Sequence, residues 1–195
     1  MSTLYTDNIR ANNASQITVP TGQKIVGTDA GSIVAPGHII QVVTAINGAG
    51  TSTSFTFNGA SRLGCIGAAI TPKSANSLIF ISGFVHCFTN NSSGQTGVGF
   101  ELVSHPTTTF INGNTVAVAG TTQLFPYEDV MFLSGSQLMG NCSFQYQHSP
   151  ASTNTIHYSV AVSENNVYAN GTSQINWSNG TSGGRSKIAL MEIAQ

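Results

Sequence analysis

Charge is the scarcest commodity in this sequence. Only 7% of its 195 residues are Asp, Glu, Lys or Arg, against roughly a quarter in an average soluble domain. The seven acids and six bases leave a net charge of −1, so electrostatic self-repulsion does little for solubility and a lone copy is expected to associate. The bases, Arg10, Lys24, Arg62, Lys73, Arg185 and Lys187, are scattered. Binding a phosphate backbone needs them clustered, so nucleic acid is not an expected partner. No apolar run reaches the roughly 18 residues that cross a bilayer, and Met1–Arg10 has no basic region followed by an apolar stretch. Neither membrane insertion nor a signal peptide is expected, and synthesis belongs in a reducing cytoplasm. The three cysteines, Cys65, Cys87 and Cys142, match no zinc or redox spacing and are expected as buried thiols.

Catalytic patterns are equally sparse. Glycan hydrolysis needs two carboxyl groups about 5–10 Å apart. Among the acids only Glu128 and Asp129 are adjacent, beside the loop-like Phe125-Pro126-Tyr127, and neighbouring strand residues point to opposite faces. No Gly-x-Ser-x-Gly elbow is present, and Gly97-Val98-Gly99 lacks the third glycine and following helix of a nucleotide fingerprint. His38, His86, His105, His148 and His157 show no metal-ligand spacing. A threefold axis would gather one imidazole per chain, which makes His86 and His157 the positions to check for a metal shared between subunits; structural histidines are the expectation. The chain thus reads as a non-enzyme with no catalytic residue, metal or cofactor.

What the sequence does have is hydroxyls, amides and short β-branched runs. Residues 1–36 carry few large side chains, but Ile9, Ile17, Ile25 and Ile33 recur at intervals of eight. Turn-forming Asn12-Asn13, Pro20-Thr21-Gly22 and Asp29-Ala30-Gly31 lie between them. One large aliphatic per eight residues cannot offset an ordering cost of about 1–2 kcal/mol per residue. Three copies sharing an axis could, so these isoleucines are the candidate trimerisation and particle-anchoring residues of an extended arm.

Pro36-Gly37 closes the arm. From residue 37 to 195 the pattern changes to short strands: His38–Thr44, Ser54–Phe57, Cys65–Ile70, Leu78–Phe88, Val98–Val103, Thr115–Val118, Met131–Leu133, Cys142–Gln147, Ile156–Val162, Asn166–Ala169, Gln174–Trp177 and Lys187–Ala194. Leu78–Phe88 is apolar on both faces, which predicts a strand covered on both sides. In Ile156–Val162 the alternation puts Ile156, Tyr158, Val160 and Val162 inward and His157, Ser159 and Ala161 outward. A weak helical signal over Val130–Met139 is opposed by Gly135. The fold class expected is all-β: an extended N-terminal arm followed by an antiparallel β-sandwich or jelly-roll body, trimeric.

Recognition surfaces favour aromatics with polar tips. Trp177, between Asn176 and Ser178, is the first candidate for receptor or glycan contact, followed by Tyr127 and Tyr168.

The opening Met1-Ser2-Thr3-Leu4 with Asp7-Asn8-Ile9, the arm ending Ala35-Pro36-Gly37, the block Ile39-Ile40-Gln41-Val42-Val43, Ile70-Thr71-Pro72 and the C-terminal Ser186–Ala194 resemble tail-fibre-like structural proteins of tailed bacteriophages, particularly those of aquatic hosts. The resemblance implies a homotrimer in the virion, an arm attached to other tail or capsid proteins, and a β-body exposed to a host polysaccharide or envelope protein. It supplies no catalytic signature. Tail fibre, nozzle appendage and head fibre all remain open as positions on the particle.

Overall fold

The computed structural model describes residues 20–22, 35–46, 55–57, 62–90, 95–111, 113–116, 119–134, 137–164, 172–175 and 184–195, with the side chains of 55–57, 89–90, 95–97, 126–134, 137–139, 163–164 and 172–174 left aside. The chain divides into two compact units, Met1–Val34 and Ala35–Gln195. Within the first, the described turn at Pro20–Gly22 places Gly22 at φ 85°, the left-handed conformation glycine adopts without a Cβ penalty. Ile9, Ile17, Ile25 and Ile33 lie outside the described residues.

The second unit begins with the Pro36-Gly37 turn, Gly37 at φ 85°, and among its described residues are ten strands: β1 (Ile39–Ile46), β2 (Phe55–Phe57), β3 (Leu63–Ile70), β4 (Leu78–Asn90), β5 (Gln95–His105), β6 (Thr122–Ser134), β7 (Gln137–His148), β8 (Ile156–Glu164), β9 (Thr172–Ile175) and β10 (Lys187–Ile193). No helix occurs among the described residues, so none there is long and apolar enough to cross a membrane.

The pairing behaves as one long ribbon folded on itself. Outgoing strands β1, β3, β4 and β5 pair antiparallel with returning strands β10, β8, β7 and β6. The four ribbons alternate between two sheets, ordered β1-β10-β4-β7 and β3-β8-β5-β6, which is the jelly roll. Where β10 leaves β4 after the Lys187↔Phe84 pair, β9 takes its place from Cys87↔Ile175 onward and carries β2 with it.

Period-two alternation explains the core. Ile79, Ile81, Val85 and Cys87 of β4 and Ile188 and Leu190 of β10 meet Val98, Phe100 and Leu102 of β5 and Tyr158, Val160 and Val162 of β8 between the sheets. All but Phe100, at 6%, are 1% exposed or less. The inward set expected for Ile156–Val162 is thus the one found.

Two expectations need correction. The helical signal at Val130–Met139 lies in the ends of β6 and β7, because antiparallel pairing to β5 and β4 satisfies the backbone there. Of the expected strand Thr115–Val118, Thr115 forms an isolated bridge to Leu63, and Ala117 and Val118 lie outside the described residues. Phe125-Pro126-Tyr127, read as a loop, belongs to β6. There the register with β5 shifts between the Leu102↔Phe125 and Phe100↔Glu128 pairs, and a bulge on an edge strand tolerates the N–H that proline lacks. Asn166–Ala169 lies outside the described residues.

Candidate interaction face

The two sheets treat their outer faces differently. On β3-β8-β5-β6, the segment after His105 lies back across the sheet: Phe110 and Val116 pack on Val103 and Ala161, all four buried. Backbone bonds fix it, from Gly64 N–H to Asn114 O (2.8 Å), Gly113 N–H to Gly64 O (2.9 Å) and Val116 N–H to Arg62 O (2.9 Å). The sequence beneath is small for a reason. A Cβ at Gly64 would collide with the Phe110 backbone, and one at Gly67 with Thr109 and Ser159. Ser159 and Ala161, expected to face outward, do point away from the inter-sheet core, yet they are buried under this strap. Ser159 Oγ accepts the Phe110 N–H at 2.9 Å.

Polar groups secure the strap. His105 Nδ1 accepts the N–H groups of Thr107 (3.1 Å) and Thr108 (2.9 Å). His157 Nδ1 lies 2.6 Å from Thr109 Oγ1, and burial, then the nearby His105, pull its pKa below the ordinary histidine value. Beside it, Tyr158 OH and His148 Nδ1 are 2.8 Å apart. Burial raises the phenol pKa and lowers that of the imidazole, so the phenol keeps its proton and donates. Buried Glu101 pairs with Arg62 and accepts from Gln123 Nε2 at 2.7 Å.

On β1-β10-β4-β7 the outer face is built from ladder rows. Val42, Met191, Phe80 and Gln147 form one row; Thr44, Ala189, Ser82 and Gln145 the next; Ile46, Lys187, Phe84 and Ser143 a third. Apolar side chains (Val42, Ile46, Ala189, Met191, Phe80 and Phe84) lie on β1, β10 and β4 with Thr44, Lys187 and Ser82 among them, and β7 contributes only amides and a hydroxyl. Ile39, Val42 and Ile46 are 56%, 54% and 52% exposed; Phe80, Phe84, Met191 and Ile193 are half-buried. A shallow groove of about 690 Å³ runs between Phe84, Gln145, Lys187 and Met191. The second cover expected for Leu78–Phe88 is therefore incomplete: the inner face is sealed, while Leu78, Phe80 and Phe84 stay half-exposed.

Of the recognition candidates, Trp177 and Tyr168 lie outside the described residues, and Tyr127 is described only by its backbone on β6. Glu128 and Asp129 are consecutive on that strand. Glu192, fully buried on β10, accepts from Gln41 Nε2 (2.5 Å) and from the N–H groups of Lys73 (2.7 Å) and Ser74 (3.3 Å). Burial alone would raise its pKa, but these bonds and the Ser77 hydroxyl hold it below the ordinary glutamate value. His86 Nδ1 sits 2.8 Å from Asn141 Oδ1, and no group of three or more metal-ligating side chains is assembled among the described residues.

Cys65 and Cys87 are buried free thiols, as expected, and Cys142 is a half-buried one. Cys87, pushed up by burial, feels both Cys65 and Cys142. Burial also raises Cys65 to about 12, against the lowering effect of its Ser186 hydrogen bond, and raises Cys142. None is poised as a thiolate nucleophile. Cys142 borders an inter-sheet cavity of about 270 Å³ lined by Val85, Phe100, Phe125, Phe144 and Tyr146, where the Phe125 and Tyr146 rings lie 6.0 Å apart.

No family model matches the chain, and neither does any curated protein. Among solved structures, similarity is found to the T13 particle of infectious bursal disease virus (14% identity, TM-score 0.38, 89% of this chain and 40% of that one). The Gx strain of that virus (14%, 0.36, 87% and 42%) and its VP2 subviral particle (14%, 0.33, 80% and 38%) are similar to the same degree. The chain spans about two fifths of the length of these structures. The jelly-roll assignment rests on the strand order itself.

Proposed function

We propose that this chain is a structural protein of a bacterial virus particle: a short, homotrimeric, fibre-like component that binds rather than catalyses. The observation that carries the reading is the jelly roll with one outer face covered by its own strap and the other left uncovered, with Val42, Ile46, Phe80, Phe84 and Met191 partly in water among polar side chains. Jelly rolls build virus shells and lectin-like binding domains, and an apolar sheet face is what a subunit of an assembly retains. The phage-fibre resemblance supplies the kind of particle, with the segment before Ala35 as anchor to tail or capsid proteins. Three weak sites on one trimer, repeated around a virion, give reversible adhesion to a host polysaccharide or envelope protein through avidity.

Antibodies raised against the protein test this on intact phage. Labelling of the tail with slowed adsorption is expected; infectious particles that carry no label would overturn the reading. A head fibre or capsid decoration protein is the second reading, favoured by the fold's use in shells, and head labelling with unchanged adsorption selects it. Release of reducing ends from host glycan, lost in Glu128→Gln, would point instead to a degrading spike.

A further inference from the structure

We propose that the outer face of β1-β10-β4-β7 is the surface through which copies of this chain meet, the occupant being a second copy. The inference rests on the self-associating subunit proposed above and names its contact.

Edge chemistry is the first argument. β1 ends its sheet, pairing only with β10 among the described strands. Soluble proteins blunt such an edge with charge, proline or a covering element. The eight residues Ile39-Ile40-Gln41-Val42-Val43-Thr44-Ala45-Ile46 contain neither a charge nor a proline, and three large aliphatics on the strand are more than half exposed. Left in water, this strand is an aggregation template. Sealed by a copy, it is an ordinary interface.

Size is the second argument. Nine residues of β4, Leu78–His86, at 3.3–3.4 Å rise, and four strands about 4.8 Å apart give a face of about 500 Å². Burying it against equal area on a second copy removes about 1,000 Å² in total, the size at which a specific interface begins.

Low charge is the third. Lys187 is the one charged side chain in the ladder rows, so copies meet little like-charge repulsion. Gln145, Gln147 and Asn141 along β7 offer donors and acceptors together, which lets this amide margin pair with polar side chains of a neighbouring copy around a threefold axis. A lipid surface would call for a basic cluster, and this face has none.

The test is sedimentation velocity of the full chain across a concentration series. The wild type is expected to sediment as a trimer. Val42→Asp is expected to sediment as a monomer with an unchanged far-ultraviolet circular dichroism spectrum. Gln145→Lys, at an exposed polar site away from the core, should raise the dissociation constant roughly tenfold or more through like charge beside Lys187. Asn154→Asp, exposed between β7 and β8, should leave assembly unchanged. If Val42→Asp fails to fold, Gln145→Lys decides. An oligomer indifferent to both changes overturns the face while leaving self-association standing. A lowered Tm without change in mass assigns the face to the chain's own residues and overturns it too. A wild type that stays monomeric throughout removes both the face and the homotrimer.

Discussion

The two outer faces of the sandwich solve one problem in opposite ways. Both sheets carry apolar or small residues on the side away from the inter-sheet core. The β3-β8-β5-β6 sheet buries that side within the chain, by laying the strap that follows His105 across glycine and alanine. The β1-β10-β4-β7 sheet keeps Val42, Phe80, Phe84 and Met191 partly in water. The lesson lies in side-chain size: a strap can approach only where Gly64 and Gly67 leave room for backbone, whereas a face of aromatics and aliphatics is shaped for side chains from another surface.

The comparison breaks first at Phe110. Phe110→Ala empties a site that is 4% exposed and should cost about 3–5 kcal/mol in urea unfolding. Phe84→Ala on the open face should cost about 1–2 kcal/mol in the dissociated chain. The reverse ranking would show that the strap adds little to folding.

Arg62→Met comes next. It leaves Glu101, 2% exposed, with Gln123 but no cation, and stability should fall by about 3 kcal/mol. Equal stability of Arg62→Met and the wild type at neutral pH would mean the ion pair adds nothing to folding.

The smallest effect is that of pH. The pKa values of His148 and His157 are depressed in the folded state, so the unfolded chain takes up protons first on acidification. Stability should be constant well above the ordinary value of 6.5 and decline as pH falls below it. Glu192, also depressed, contributes stability above its ordinary 4.5 that is lost as pH falls through its folded value. Urea midpoints between pH 8 and pH 3 should therefore fall in two stages. His148→Phe should flatten the first, and a stage that survives in His148→Phe, His157→Asn would belong to other groups.

Much of the fold was legible from neighbours alone. Alternation in Leu78–Phe88 and Ile156–Val162 identifies β4, β8 and their inward faces, and Gly, Asn and Pro punctuation identifies the breaks. The strap was not legible, because Thr115–Val118 looks like a strand and nothing local says that Phe110 crosses Gly64. Nor was the gathering of three widely spaced cysteines around Cys87, or the conversion of Phe125-Pro126-Tyr127 from apparent loop to bulged edge strand. The eight-residue spacing of isoleucines and the aromatics with polar neighbours lie mostly outside the described residues, while the open surface of the described body falls on the ladder rows of a sheet, where no single local pattern marks it.

By itself the sequence determined that the chain is all-β and low in charge, since side-chain alternation and composition act through adjacent residues and bulk solvent. The tertiary structure decided which apolar face is closed and which stays open. That choice depends on strap contacts such as Phe110 with Ser159 and Thr109 with His157, 49 and 48 residues apart, and local periodicity carries no record of contacts made at that distance.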